Sequence, residues 1–223
     1  MARQKRKKFA ENLEKENVIE PGKELFKNVK GNWNRMVFKN NNEITLEIAC
    51  GRGEYTTRLA EEFPKRNFIG IDIKGDRIWY GANVAEEKQL NNVAFLRTKV
   101  HDLELYFAEN EINEIWIVHP DPRPKTKDEK RRLTSQRFLN IYKSISKKDA
   151  LIRLKTDNSS LFEYSLNTLS KNEVKDLDYT YDLDNSPLLE EHFGVETRYE
   201  RIFKEKGCLI NYLKFRFNNA KTY

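Results

Sequence analysis

The chain has 223 residues, 38% of them hydrophobic and 12% aromatic, which suits one domain with a packed core and an appended arm. Lysine and arginine number 41 against 35 acidic residues, a net charge of +6 that favours a polyanionic partner without requiring one. Cys50 and Cys208 stand in no metal or disulfide spacing, no apolar run approaches the ~20 residues of a membrane helix, and no apolar segment follows the basic start MARQKRKKF. A disulfide scaffold, a membrane span and a signal peptide are therefore not expected, and a reducing, cytoplasmic setting is.

Residues 1–30 are polar and charged, with a basic block at Arg3, Lys5, Arg6, Lys7 and Lys8. The composition is that of a flexible, solvated tail; the alternative is an arm that meets phosphates. Residues 31–223 read as a single domain. Ile44–Ile48 predicts a strand and Tyr55–Phe63 a helix. Asn67–Ile71 is a strand, Gly75–Leu90 a helix, Val93–Leu96 a strand and Leu103–Ala108 a helix. The apolar run Ile115–Val118 is a strand. A helix opens at Thr134-Ser135-Gln136, with a hydroxyl placed to cap it, and runs to about Ile145. Ala150–Leu154 is a strand and Ser159–Leu169 a helix. Two longer alternating strands, Val174–Tyr181 and Cys208–Phe217, flank a charged helix around residues 196–206. Alternating strands and helices call for a parallel sheet covered on both faces, whose ligands bind beyond the carboxyl ends of the strands.

The strand ends therefore carry the functional information. The first strand runs into Glu47-Ile48-Ala49-Cys50-Gly51-Arg52-Gly53, where Gly51 and Gly53 permit a tight turn and close backbone approach to a ligand, although a ligand-free turn fits them equally well. The third glycine of a dinucleotide fingerprint is absent, which disfavours a pyrophosphate cradle and a nicotinamide cofactor. The second strand ends in Asp72, an acid about 20 residues on that can accept from both ribose hydroxyls. Together these residues argue for a nucleoside-bearing cofactor. They resemble the class I S-adenosylmethionine-dependent methyltransferases, whose first motif is E/D-x-G-x-G-x-G, with Ala49 here in place of the first glycine. That resemblance implies a Rossmann-like fold: a mostly parallel seven-stranded sheet with helices on both faces and an antiparallel C-terminal strand.

After the fourth strand stands Pro120-Asp121-Pro122-Arg123-Pro124-Lys125, then Lys130-Arg131-Arg132-Leu133. With Thr156-Asp157 after the fifth strand and Thr197-Arg198-Tyr199-Glu200 near the end, this ordered set resembles the bacterial tRNA (guanine-N7-)-methyltransferases over about residues 43–217. The resemblance implies methyl transfer from S-adenosylmethionine to N7 of a guanine in the variable loop of tRNA. On that footing Glu47, Gly51, Gly53, Asp72 and Asp121 are the cofactor-binding candidates, and Asp121, fixed between prolines, is also the catalytic one. Lys125, Asp157, Thr197, Arg198, Tyr199 and Glu200 are the candidates for binding tRNA; Asp157 is alternatively the N-cap of the Ser159 helix. Arg123 replaces the family's tryptophan. Lys99 stands where the family has an acid, so Asp102 is the cofactor-binding candidate in its place. His101, His119 and His192 have no metal spacing, and no metal is expected; His119 reads as packing or local hydrogen bonding. The rival readings are an exocyclic-amine methyltransferase, whose D/N-P-P-[YFW] motif is not matched, and a non-catalytic RNA-binding protein on a degenerate methyltransferase fold. Oligomeric state, monomer or homodimer, is left open.

Overall fold

The computed structural model describes residues 2–218, with side chains from Gln4 to Asn218, so the Arg3 charge and residues 219–223 of the expected domain lie outside the described part. In chain order the elements are α1 (Ala2–Glu14), β1 (Val18–Ile19), α2 (Glu24–Asn28), β2 (Ile44–Ile48), α3 (Glu54–Glu62), β3 (Asn67–Asp72), α4 (Gly75–Glu87), β4 (Val93–Arg97), β5 (Ile112–Val118), α5 (Gln136–Ile145), β6 (Ser146–Thr156), α6 (Ser159–Leu169), β7 (Val174–Thr180), α7 (Arg198–Glu205) and β8 (Asn211–Phe217). One sheet orders the strands β1-β4-β3-β2-β5-β6-β8-β7. The strands from β1 to β6 pair in parallel, and β8 runs antiparallel to both β6 and β7. The seven expected strands are all present. The eighth, β1, is two residues long and too short to announce itself by alternation; its pairing with Phe95 and Leu96 defines it.

Strand alternation sends side chains to two cores. Ile44, Leu46 and Ile48 of β2, with Ile115 and Ile117 of β5, pack with Phe138 and Tyr142 of α5 and Phe162 of α6. Trp116 and Val118 of β5 face the other way, with Tyr55 of α3, Ile78 of α4 and Tyr212 of β8. Phe95 anchors this second layer. A β-carbon at Gly53, Gly70 or Gly81 would come within 2.5, 2.7 or 2.6 Å of its ring, so the glycine turn, β3 and α4 all press on one side chain.

Several boundaries differ from expectation for identifiable reasons. Ser135 occupies the N-cap position of α5, but neither hydroxyl makes a capping bond: that of Thr134 pairs with Ser165 Oγ at 2.7 Å, and that of Ser135 donates to the Lys130 carbonyl. The segment expected as a helix at 103–108 is a 3-10 turn over Val100–Leu105; beyond it the Tyr106 carbonyl accepts from Trp33 Nε1 at 2.9 Å rather than from a helical amide. Strand β8 starts at Asn211 rather than Cys208 because the Gly207 and Cys208 amides close α7, donating to the Lys204 and Phe203 carbonyls with Gly207 at φ +75. Within residues 1–30, α1 lies along α4, with Asn12 Nδ2 donating to the Gly75 carbonyl at 2.8 Å and Trp79 Nε1 to Glu11. Among the described residues no helix is long and apolar enough to cross a membrane.

Candidate active site

The sheet order reverses between β2 and β5, and the loops beyond the carboxyl ends of β2 to β6 converge there. The first of them is the glycine turn. Its residues Ala49, Gly51 and Gly53 have φ of +59, +59 and +69. Ala49 adopts the left-handed conformation despite its β-carbon, a strain on the order of 1 kcal/mol that the surrounding contacts must offset. Asp72 locks the turn. It is buried, its Oδ2 accepts from the Gly51 amide at 3.0 Å, and its Oδ1 accepts from the Lys74 amide at 2.8 Å. Glu47 holds the turn from below: its Oε2 accepts from the Thr56 amide at 2.8 Å and from the Thr56 hydroxyl, which fixes the first turn of α3. Burial pushes the Glu47 carboxyl up to about 8.

Beside this turn lies a cavity of about 380 Å³, within the ~300–1,000 Å³ range of small-molecule sites. Ala49, Asp72, Ile73, Thr98, Val100 and Phe138 line it, and the cations of Lys99, Arg123, Lys130, Arg131 and Arg137 rim it. A β-carbon at Gly51 would meet nothing within 4 Å, so the backbone there faces open space. Backbone exposed at a glycine, a buried carboxylate and an apolar wall suit a nucleoside with a charged tail. Asp102 does not line the cavity. It sits on the 3-10 turn, 3.4 Å from His101, which does.

The proline loop leaves β5 next to this cavity. His119 and Arg123 each precede a proline, which disfavours any departure from extended backbone, yet their φ values are +44 and +48. Asp121 is exposed on the loop. Its Oδ2 lies 3.0 Å from Arg123 Nε and its Oδ1 accepts from the Arg123 amide at 3.3 Å. Because Arg123 lines the cavity that Asp72 also lines, Gly51, Asp72 and the Asp121–Arg123 pair share one end of the sheet. Lys125, Lys127, Lys130 and Arg131 continue outward, all exposed.

On the far side of the loop stands a buried polar cluster. Glu200 of α7 has no exposed surface. Around it are Lys155 Nζ at 2.7 Å, His192 Nε2 at 3.3 Å and His119 Nε2 at 3.5 Å. Burial opposes ionisation of Glu200, but His119, His192 and Lys155 hold its carboxyl well below the usual range. Burial lowers Lys155 to about 8 against the pull of Glu200. Glu196, Glu200 and His192 come within 4.8 Å of one another, and the ammonium groups of Lys155 and Lys204 neutralise these carboxylates. Asp157 is not the cap of α6; Asn158 is, accepting from the Leu161 amide at 2.8 Å, while Asp157 turns to His119 Nδ1 at 3.1 Å. Thr197 caps α7 by accepting from the Glu200 amide, the Arg198 amide donates to Glu54 at the start of α3, and Tyr199 stands 63% exposed. Of the candidates, Asp72 lines the cavity, Gly51 is bonded to it and Asp121 pairs with the cavity-lining Arg123, while Asp157 and Glu200 meet in the separate buried cluster around His119. Sequence reading missed Lys155 and His192 as members of the cluster; the one signal in the chain was the position of Lys155 beside Thr156-Asp157.

Residues 41–211 match the model of a family described as a putative methyltransferase. A curated protein from Cytophaga hutchinsonii, described as a tRNA (guanine-N(7)-)-methyltransferase, is 46% identical over 219 residues, covering 97% of this chain and 99% of its own length. A protein of the same description from Christiangramia forsetii is 44% identical over 96% of this chain and 98% of its own. Among solved structures, a 16S rRNA methyltransferase, KamB, superposes with a TM-score of 0.60 over 81% of this chain and 90% of its own; at 15% identity it speaks for the fold alone.

Proposed function

Since the chain belongs to the tRNA (guanine-N7-)-methyltransferase family, we propose that it transfers a methyl group from S-adenosylmethionine to N7 of a guanine in tRNA, in the variable loop, in the cytoplasm. The carrying observation is that the Asp72-locked glycine turn and the Asp121–Arg123 loop border one cavity under a cationic rim.

When bound, S-adenosylmethionine supplies an electrophilic methyl on a cationic sulfonium. Gly51 and Asp72 fit its nucleoside part, and the apolar wall from Ile73 to Phe138 fits its base. The guanine N7 carries a lone pair and no proton, so no general base is required. The protein's task is to hold nucleophile and methyl in line. Positive charge passes to the purine as the bond forms, and the Asp121 carboxylate stabilises it there. Lys125 and the neighbouring cations neutralise tRNA phosphates, while Asp157 and the segment Thr197–Glu200 form the wall opposite the cofactor.

The test is incubation with radiolabelled S-adenosylmethionine and unmodified tRNA, followed by nucleoside analysis. Label in 7-methylguanosine is expected; label in an exocyclic-amine product, or none, overturns the proposal. Calorimetry with S-adenosylmethionine separates the non-catalytic RNA-binding reading, for which no cofactor binding is expected.

A further inference from the structure

We propose that His119 is a positioning residue for this reaction: as an imidazolium it clamps Asp157 to Glu200, fixing the wall that holds the guanine, and the clamp opens when the ring loses its proton. The inference rests on the functional reading above.

The geometry carries it. His119 is buried, and its two ring nitrogens face two carboxylates, Nδ1 at 3.1 Å from Asp157 Oδ1 and Nε2 at 3.5 Å from Glu200 Oε2. Nδ1 is at hydrogen-bond distance from Asp157, while Nε2 lies at ion-pair distance from Glu200 without hydrogen-bond alignment; a neutral imidazole would leave one nitrogen facing a carboxylate with no proton, whereas the imidazolium charge is attracted to both. The three residues belong to different parts of the fold: the end of β5, the end of β6 and the first turn of α7. The His119 backbone is also held in its left-handed conformation, with its amide donating to the Lys155 carbonyl at 2.8 Å. Asp121 lies two residues on, across Pro120, so a change in how the imidazole is held reaches the Asp121 loop through a stiff link.

Other charged and polar groups face the cluster around the ring. From β6 come Lys155 and, just beyond it, Asp157; from the turn Pro187–His192 comes His192, which shares Glu200; from α7 and its approach come Glu196, Glu200 and Lys204; from α3 comes the Tyr55 hydroxyl. Burial and Lys155 oppose the proton. Asp157 and Glu200 favour it and prevail, so His119 holds its proton above the ordinary histidine range. The clamp is therefore complete below that raised value and lost as pH rises through it.

The test compares wild type with H119Q and H119F. Expected for the wild type is a one-proton alkaline limb in kcat/KM for tRNA, falling about tenfold per pH unit once passed. Expected for both variants is kcat/KM roughly 10-fold to 100-fold lower at neutral pH, without that limb. Histidine NMR of the wild type, which depends on no variant folding, is expected to show one imidazole titrating above about 6.5. Three results overturn the proposal: no such imidazole, an alkaline limb that survives in H119Q, or wild-type rates in H119F. Wild-type protein that forms no 7-methylguanosine overturns the functional reading and this inference together; wild-type protein that forms it while H119Q keeps the limb overturns the inference alone.

Discussion

Lys155 and Glu200 meet at 2.7 Å with both side chains fully buried, a charge pair beneath the wall of the candidate site. Removing one partner strands the other charge away from water, which typically costs about 3–5 kcal/mol. Lys155→Met alone is expected to destabilise by that order, as is Glu200→Gln. Lys155→Met combined with Glu200→Gln should recover part of the loss, because neither member of the pair is left charged and His119 keeps Asp157 as its partner. Urea denaturation of the two single variants and the double variant forms the cycle; strictly additive losses would show that the pair is not coupled.

Glu47 makes stability depend on pH. Its carboxyl rises from an ordinary 4.5 to about 8 on folding, so folding takes up a proton between those values. The contribution is fully present below about 4.5 and lost as pH rises through about 8. Glu47→Gln keeps an acceptor for Thr56 and removes the titration. Its melting temperature is expected to fall less than that of the wild type between pH 5 and 8.5, measured by differential scanning calorimetry.

Asp121 is exposed and paired with Arg123, so its removal should leave the fold intact. Asp121→Ala is expected to lower methyl transfer by about 100-fold or more while tRNA is still retained on a filter. Asp121→Asn, which keeps the shape and loses the charge, should be nearly as impaired. Near-normal turnover in either variant would remove the charge-stabilising role.

The exposed cations after Pro124 predict salt-sensitive binding. Removing one cation that neutralises a phosphate should flatten the slope of log affinity against log salt by about 0.7–0.9. Lys125→Ala with Lys127→Ala is therefore expected to weaken tRNA binding and reduce the slope by about one to two. A slope equal to that of the wild type would place the RNA elsewhere.

The parts of the site legible in the sequence are those written locally. Gly51 and Gly53 follow a strand directly, and Asp72 ends the next one, so chain order alone brings them to the same sheet end. The Asp121 loop announced itself through its prolines. The buried cluster was not legible as a cluster, because its members come together through the fold: His119 and Asp157 are 38 positions apart, and Lys155 and Glu200 meet only when α7 packs beside β6. The same holds for the cap of α5. Ser135 has the right chemistry at the N-cap position, but its hydroxyl donates to the Lys130 carbonyl instead, while Thr134 pairs with Ser165 of α6. Local pattern proposes a partner, and tertiary packing supplies a nearer one.

Phe95 makes a steric checkpoint of the region behind the glycine turn. Three backbones that share no sequence neighbourhood are measured against one ring, so a side chain at Gly53, Gly70 or Gly81 would collide with it. A smaller residue in place of Phe95 would not by itself free them: a β-carbon at Gly81 would still lie 2.7 Å from the Arg52 carbonyl, one at Gly70 2.9 Å from the Thr56 hydroxyl, and Gly53 would remain left-handed. The span between turn, strand and helix is consequently inherited as a unit.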